Sequence, residues 1–313
     1  MKVYLATKLF SFFDRLVSVQ MYNAVRASSF FSEGKVYLPF RDSNMVVSDY
    51  GNVAKNIFDA DVTSLLSMDY LICRVDGLSL DAGIGFEIGY CFAKHIPTCI
   101  FNTDFINSRI NDYSYLISPI SNIISNCFRY EYCVMKDMTY EEELNYNTKV
   151  FSDYVRTKLD HGFSEKIELS DILNNRTLSC DVFIDICGCQ YEWNSIILQK
   201  ILPELNALKL SYHVSNRYSG TYSFEDDISY LTHTKVYIVC LDENEPNFDS
   251  SIFTGYAYAM NKYIIGYESN NVIYYVEGKQ EMGVNLMLEQ ACNVTTNTVT
   301  HIISCVRSAL YDE

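Results

Sequence analysis

The stretch DYLICRVDGLSLDAGIGFEIGYCFAKHIPTCIF, residues 69–101, joins an apolar run to a glycine-containing loop, a helical pattern and a second apolar run. Residues 70–75 are almost continuously apolar, which is typical of a strand buried on both faces of a parallel sheet. The aspartates and glycines that follow indicate a turn, and the pattern then predicts a helix that begins near Gly85. This alternation of strand and helix predicts an α/β fold with helices flanking a parallel sheet.

The same pattern returns later in the chain. FEDDISYLTHTKVYIVCLDE and FTGYAYAMNKYIIGY, residues 224–243 and 253–267, follow their counterparts by 166 positions without a gap. Any two strand-helix-strand units share hydrophobic patterning, but matched aspartates and a Gly-Tyr pair lie outside it, so we predict an internal duplication. At this offset, eight residues of the first copy align with identical residues of the second: Phe58, Asp61, Leu65, Ile72, Asp76, Gly89, Tyr90 and Ala93.

The duplication predicts two tandem Rossmann-like or flavodoxin-like parallel-sheet domains that form a pseudo-dimer. We assign residues 1–165 to the first domain and residues 176–313 to the second. Between the two sheets, Thr139 and Glu142 have the spacing of a capping box, which predicts the helix that closes the first domain.

Composition excludes several classes of function. The 24 basic and 39 acidic residues give a net charge of −15, which disfavours nucleic acid polymers as partners. No segment has the roughly 20 apolar residues of a membrane span. The 11 cysteines lie in apolar strings without a secretory leader, which indicates reduced thiols and a cytoplasmic location. Cys187 and Cys189 have no matching second pair and no histidines at ligand spacing, so we expect no zinc site there, and we expect no other metal or cofactor.

Glu87 is the residue that connects this fold to chemistry. Ligands of open α/β sheets bind at the carboxyl ends of the strands, and the predicted helix start places Glu87 in its first turn, at that edge. We expect Gly83 and Gly85 to let the backbone approach a ligand, and the helix terminus to hold Glu87 ionised. Two interpretations are equally supported by this spacing. Glu87 is a nucleophile for a sugar carbon, or it only stabilises the helix N-terminus.

Several motifs together resemble one known family. YLATKLF near the start, Asp61 eight residues before Asp69, and DAGIGFEIGY at residues 81–90 are similar to the nucleoside 2-deoxyribosyltransferases, whose signature is D-x-G-x-G-x-E-x-G after the third strand. The resemblance covers about residues 2–101.

The resemblance implies a role for each matching residue. Glu87 would attack C1′ of a 2′-deoxynucleoside and form a deoxyribosyl ester, while Asp61 would protonate or orient the departing base. Tyr4 would hydrogen-bond Glu87, and Phe10 would form an aromatic wall against the base. Asp81 would hold sugar hydroxyls where related deoxynucleotide N-hydrolases have a serine for the 5′-phosphate, which favours nucleosides over nucleotides.

Alternatives exist for these positions, since Asp61 could cap a helix and Tyr4 and Phe10 could be core aromatics. After the second strand, Asp42 and Asn44 are candidates for contacts with the base.

The second copy lacks the nucleophile, because Phe253 stands at the position of Glu87. In the family, an Asn of the neighbouring subunit contacts the sugar 5′-hydroxyl, and VNLMLEQA at residues 284–291 resembles that segment. We therefore predict that Asn285 reaches the Glu87 pocket from the second half. Asn285 could equally be an N-cap, which is compatible with this role.

The sequence thus favours a retaining transfer of 2-deoxyribose between nucleobases, as in nucleotide salvage. A nucleoside or deoxynucleotide N-glycoside hydrolase is the enzymatic alternative, and a non-catalytic nucleoside or nucleotide sensor is the alternative of another class. The expected partners are nucleosides and nucleobases, and a homodimer of these chains is compatible with the resemblance.

Overall fold

The computed structural model describes residues 1–9, 11–31, 34–42, 53–77, 80–105, 107–110, 113–162, 166–186, 192–217, 222–241, 248–268 and 285–311. It has two five-stranded parallel sheets and one two-stranded antiparallel ribbon. The predicted α/β class with two tandem parallel sheets is confirmed.

The first half supplies one sheet, the ribbon and its helices. Its elements are β1 Lys2–Ala6, α1 Phe12–Ala27, β2 Lys35–Tyr37, α2 Pro39–Asp42, α3 Val53–Leu66, β3 Tyr70–Arg74, α4 Ala82–Ala93, β4 Thr98–Asn102, β5 Ser108–Ile110, β6 Tyr113–Tyr115, α5 Pro119–Ile124, β7 Asn126–Arg129, α6 Tyr140–Asp160 and α7 Leu169–Asn175.

The second half supplies the other sheet. Its elements are β8 Val182–Asp185, α8 Glu192–Ala207, β9 Tyr212–Val214, α9 Phe224–His233, β10 Val236–Cys240, α10 Phe248–Ala259, β11 Tyr263–Tyr267, α11 Leu286–Ala291, β12 Val294–Thr296 and α12 Val299–Tyr311.

The two sheets have the same strand order. The orders are β2-β1-β3-β4-β7 and β9-β8-β10-β11-β12, which is the flavodoxin-like arrangement 2-1-3-4-5 in each half. Both β3 with β10 and α4 with α10 have bounds that differ by 166 positions. Val3 pairs with Tyr70 and Val182 pairs with Val236, so Val182 is the structural counterpart of Val3, and Phe183 that of Tyr4.

The two halves meet where α4 packs against α10. A Cβ atom added to Gly89 would lie 1.8 Å from the carbonyl oxygen of Ile252, and one added to Gly255 would lie 1.9 Å from that of Phe86. Ile252 follows Phe86 by the same 166 positions, so the contact is reciprocal, as in the two-fold interface of a dimer. Only glycine allows the two backbones this approach.

The predicted closing helix of the first half is present as α6. Thr139 is its N-cap, and Thr139 and Glu142 form the expected capping box. The domain limits at residues 165 and 176 stay a prediction. Cys187 and Cys189 lie outside the described residues, while the nine cysteines within them are free thiols. None of the described helices has the length and apolar character needed to cross a membrane.

Candidate active site

Tyr4, Asp61 and Glu87 come from three different elements, β1, α3 and α4. The chain order reverses between β1 and β3, and the crevice at such a switch point is the usual ligand site of an open α/β sheet. The Tyr4 hydroxyl donates a hydrogen bond to Glu87 Oε1 at 2.7 Å, and both side chains are buried. The contact expected from the family resemblance is therefore present.

Glu87 lies deeper in its helix than predicted. Helix α4 begins at Ala82, with Asp81 as its N-cap, so Glu87 is in the second turn. Burial raises the pKa of Glu87 well above its usual value, the charge of Asp61 raises it further, and the Tyr4 hydrogen bond opposes both. The prediction that Glu87 lies in the first helical turn was wrong, because α4 begins five residues before it, and burial rather than the helix terminus has the largest effect on its pKa.

Asp61 is the second buried acid of the site. It is only 7% exposed. Burial raises its pKa to about 6, with the Tyr4 hydroxyl acting in the opposite direction. Within the described part of the chain, Asp61 Oδ1 has no hydrogen-bond partner. A buried carboxyl oxygen without a partner costs free energy, and such groups concentrate at functional sites.

Asp81, Gly83 and Asn285 lie together at the start of α4. Asp81 Oδ1 accepts the backbone N–H of Gly83 at 2.8 Å. A Cβ atom added to Gly83 would lie 3.1 Å from that oxygen and 3.4 Å from Asn285 Oδ1. Asn285, the N-cap of α11, accepts the N–H of Met287. The structure thus brings this residue of the second half beside the first helical turn of the first half.

The sequence suggested that Gly85 lets the backbone approach a ligand, but in the structure it faces α10. A Cβ atom at this position would lie 2.8 Å from Ser251 Cβ and 3.0 Å from the Phe248 carbonyl oxygen. Its lack of a side chain is needed for the packing of α4 against α10. The glycine segment is helical rather than a turn because Asp81 caps it and α10 packs along it.

The roles expected for Asp42, Phe10 and Asn44 stay predictions, although the charge of Asp42 acts on Tyr37, a neighbour of Tyr4. The carboxylate of Asp42 forms an ion pair with Arg41 at 2.8 Å and accepts a hydrogen bond from the Leu38 N–H at 2.8 Å. Phe10 and Asn44 lie outside the described residues.

Tyr37 and Lys8 are neighbours of the site that the sequence did not indicate. The Tyr37 ring lies 5.3 Å from the Tyr4 ring, centroid to centroid. Burial raises the pKa of Tyr37, and the charge of Asp61 raises it further against a hydrogen bond with Ser64. The positive charge of Lys8 acts on Asp81, whose pKa is nevertheless raised by burial. The pairing of β1 with β2 places Tyr37 beside Tyr4, and this register could have identified it.

The equivalent place in the second half has different chemistry. Phe183 and Phe253 stand where the first half has Tyr4 and Glu87, and their rings meet edge to face at 6.0 Å. Asp227, the counterpart of Asp61, accepts hydrogen bonds from Ser215 and from His213 Nε2. The second half therefore has phenylalanines at the positions that correspond to Tyr4 and Glu87.

Other features do not extend the site. Among the described residues, no group of three or more His, Cys, Asp or Glu side chains is placed to hold a metal ion. An open groove at the opposite edge of the first sheet is lined by Tyr70, Thr98, Lys166 and Glu168, among others. This groove lies where the strands begin, and its lining includes Ile88 but not Glu87.

The fold and the site define an α/β protein with a tyrosine-bonded glutamate and a second buried acid at the switch point of its first sheet. Residues 3–146 match the family model described as nucleoside 2-deoxyribosyltransferase. The match confirms the resemblance predicted for the N-terminal half, and it spans a little less than half of the chain.

Two solved structures are similar to part of the chain. A conserved protein from Enterococcus faecalis V583 is 23% identical with a TM-score of 0.36, over 48% of this chain and 98% of that one. A 2-deoxyribosyltransferase from the psychrotolerant bacterium Bacillus psychrosaccharolyticus is 14% identical with a TM-score of 0.34, over 46% of this chain and 96% of that one. No curated protein matches the chain.

Proposed function

We propose that this protein transfers 2-deoxyribose from one nucleobase to another through an ester on Glu87. The observation that carries the proposal is the buried hydrogen bond from Tyr4 to Glu87 Oε1, with Asp61 close enough to raise the pKa of Glu87. These residues lie within the segment that matches the family model.

In the first step, an oxygen of Glu87 attacks C1′ of the nucleoside. Tyr4 engages Oε1, so Oε2 is the oxygen available for the new bond. The bond from C1′ to the base nitrogen breaks, its electron pair stays with the base, and Asp61 supplies the proton that neutralises it. A carboxyl group with a pKa of about 6 can give up and recover a proton near neutral pH.

In the second step, a nitrogen of the incoming base forms a bond with C1′ from the same side. The ester bond breaks, its electron pair returns to the Glu87 carboxylate, and the proton of the incoming base passes to Asp61. Two displacements at one carbon retain its configuration, and the site returns to its initial protonation state.

Asp81 and Asn285 are proposed to hold the sugar. Asp81 is 9% exposed and bonded to the helix N-terminus, so its carboxylate is fixed in place. Asn285 Oδ1 accepts the Met287 N–H, and the proposed role of its amide nitrogen is to donate a hydrogen bond to a sugar hydroxyl. A carboxylate at this position disfavours a 5′-phosphate, so nucleosides are the proposed substrates.

Incubation with 2′-deoxyinosine, with and without adenine, tests the proposal. Formation of 2′-deoxyadenosine supports transfer. Hypoxanthine and free deoxyribose in equal amounts, with no new nucleoside, would identify a hydrolase instead. No conversion at all would contradict both enzymatic functions and favour a nucleoside sensor. Glu87→Gln protein is the control, since it keeps the size of the side chain and removes the nucleophile.

A further inference from the structure

The second half contains a buried charged cluster at the place that corresponds to the Glu87 pocket. Arg217 Nη2 lies 2.7 Å from Asp185 Oδ1 and donates to Ser250 Oγ at 2.6 Å. The guanidinium lies over the Phe253 ring, at 5.2 Å from its centroid. Asp185 ends β8 and Ser250 is in the first turn of α10, so the cluster lies at the switch point of the second sheet.

Several hydrogen-bond donors of this cluster have no partner among the residues that the structure describes. Arg217 is 4% exposed, yet its Nε and Nη1 atoms make no hydrogen bond to any residue of the chain as described. The hydroxyl of Tyr222 is also buried without a partner there. Tyr222 lies close to Arg217, because the charge of Arg217 acts on its pKa, which burial raises.

Such an arrangement is unfavourable unless something binds to it. Each buried donor without an acceptor costs roughly 1–3 kcal/mol. A pocket that had only lost its function would be expected to fill with apolar side chains, as Phe183 and Phe253 do here. The polar groups instead come from four places, namely β8, the loop after β9, α10 and the segment before α9, and they meet at the switch point of the second sheet.

The charges around Arg217 indicate what kind of ligand fits. Burial lowers the pKa of Arg217, but the charges of Asp185 and Asp249 raise it more, so the pKa of the guanidinium lies above its ordinary value. Burial raises the pKa of Asp249 to about 6, so this group is mostly ionised at neutral pH. The two carboxyl groups more than balance the single guanidinium charge, so a phosphate or carboxylate ligand would be repelled. A ligand that accepts hydrogen bonds without carrying charge satisfies the open donors.

We propose that the second half has a non-catalytic binding site for an uncharged nucleobase or its nucleoside, held by Arg217 and Tyr222. The nucleobase class rests on the proposed function, since this crevice corresponds to the nucleoside pocket of the first half. Carbonyl oxygens and ring nitrogens of a base are acceptors that a guanidinium commonly binds. Phe183 and Phe253 provide no nucleophile, so the ligand is bound without reaction.

A short helix of the first half lies beside the Arg217 cluster, as a short helix of the second half lies beside the Glu87 site. Ser118, the N-cap of α5, hydrogen-bonds Asp249, and the backbone of Ile120 does so as well. Asn285 and Ser118 thus have corresponding places, each at the N-terminus of a short helix that faces the opposite crevice.

Tyr222→Phe is the decisive variant. Its hydroxyl bonds to none of the described residues, so a purely structural role predicts unchanged or raised thermal stability and unchanged ligand binding. The proposal predicts about fivefold to tenfold weaker binding, which corresponds to the loss of one hydrogen bond. Tyr256→Phe is the matched control, because that hydroxyl is bonded to Thr232 Oγ1 at 2.6 Å, and its loss should lower stability but leave binding unchanged.

Binding is measured by calorimetry on Glu87→Gln protein, which cannot turn over its ligands. The probes are adenine, hypoxanthine, cytosine and thymine, their 2′-deoxynucleosides, and inorganic phosphate. The proposal is supported if Tyr222→Phe and Arg217→Lys each weaken the binding of a base or deoxynucleoside, while Asp61→Asn leaves that binding unchanged. The proposal is overturned by binding that Tyr222→Phe does not change, by binding of phosphate alone, or by no binding of any base or deoxynucleoside.

The outcome can be separated from that of the proposed function. Base exchange depends on the first pocket and is measured on the unmodified protein with Glu87→Gln as its control. Absence of exchange contradicts the transferase, whereas unchanged binding in Tyr222→Phe contradicts only the second site.

Discussion

Glu87 and Asp61 are two buried carboxyl groups whose charges disfavour each other. Burial raises the pKa of Glu87, and the charge of Asp61 raises it further, while the hydroxyl of Tyr4 opposes the shift. The proposed first step needs an ionised Glu87 and a proton on Asp61. A pair that shares one proton meets both requirements, and its apparent pKa values belong to the pair rather than to either residue.

The dependence of kcat/KM on pH tests this pairing through two variants with opposite effects. Asp61→Asn removes a negative charge beside Glu87, so the pKa of Glu87 falls and the acidic limb of the profile moves to lower pH. Tyr4→Phe removes a donor that stabilises the carboxylate, so the pKa rises and the limb moves to higher pH. Asp227→Asn, the corresponding change in the second half, should leave the limb in place. Shifts in the same direction for both variants would contradict the assignment.

Several residues of the site could be predicted from the sequence, because they belong to motifs with a characteristic spacing. Tyr4, Asp61 and Glu87 come together as expected, and Asn285 lies beside Gly83. The ionisation of Glu87 could not be predicted, since it depends on burial by many residues. Tyr37 was missed because its place beside Tyr4 follows from the register of two strands, which no local pattern encodes.

Helix α4 is the element that both halves need. Its N-terminal residues hold Asp81 and contact Asn285, its second turn carries Glu87, and its glycines allow α10 to approach. The sequence predicted the helix but placed its start near Gly85, because a glycine run resembles a turn. What makes the segment helical is the Asp81 cap together with packing against α10, and the packing partner lies 166 positions away.

Gly89→Ala tests the role of this helix crossing. The new methyl group would lie 1.8 Å from the Ile252 carbonyl oxygen, so the helices must separate, and we expect a loss of about 3 kcal/mol in the free energy of unfolding. Gly83→Ala on the same helix is the control. Its nearest contact is 3.1 Å, and a gain in helix propensity of about 1 kcal/mol offsets the crowding. Chemical denaturation measures both, and equal stability of the two variants would contradict the close crossing.

At the scale of the whole molecule, the chain places two corresponding crevices around one pseudo-two-fold interface. The offset of 166 positions predicted this arrangement well, since α4 and α10 have bounds that differ by that number. The Arg217 cluster was not predicted, because Asp185, Arg217 and Ser250 are far apart in sequence and each has an ordinary local context. Only the folded second sheet brings them together.

Asn285→Ala tests whether the second half completes the first pocket. Loss of one hydrogen bond to the sugar should raise KM for a deoxynucleoside by about fivefold to tenfold with little change in kcat. Loss of the N-cap should also lower stability by about 1 kcal/mol. Ser118→Ala removes the corresponding cap and should cost similar stability without changing KM. Equal KM values for the two variants would contradict a shared pocket.

Mass spectrometry of the protein, quenched with acid during turnover of a 2′-deoxynucleoside, detects the proposed ester on Glu87 directly. We expect one deoxyribosyl group on the peptide that contains Glu87. Glu87→Gln protein of unchanged thermal stability should show neither the group nor base exchange. Base exchange by Glu87→Gln at the unmodified rate, with no group on that peptide in either protein, would contradict the proposed ester.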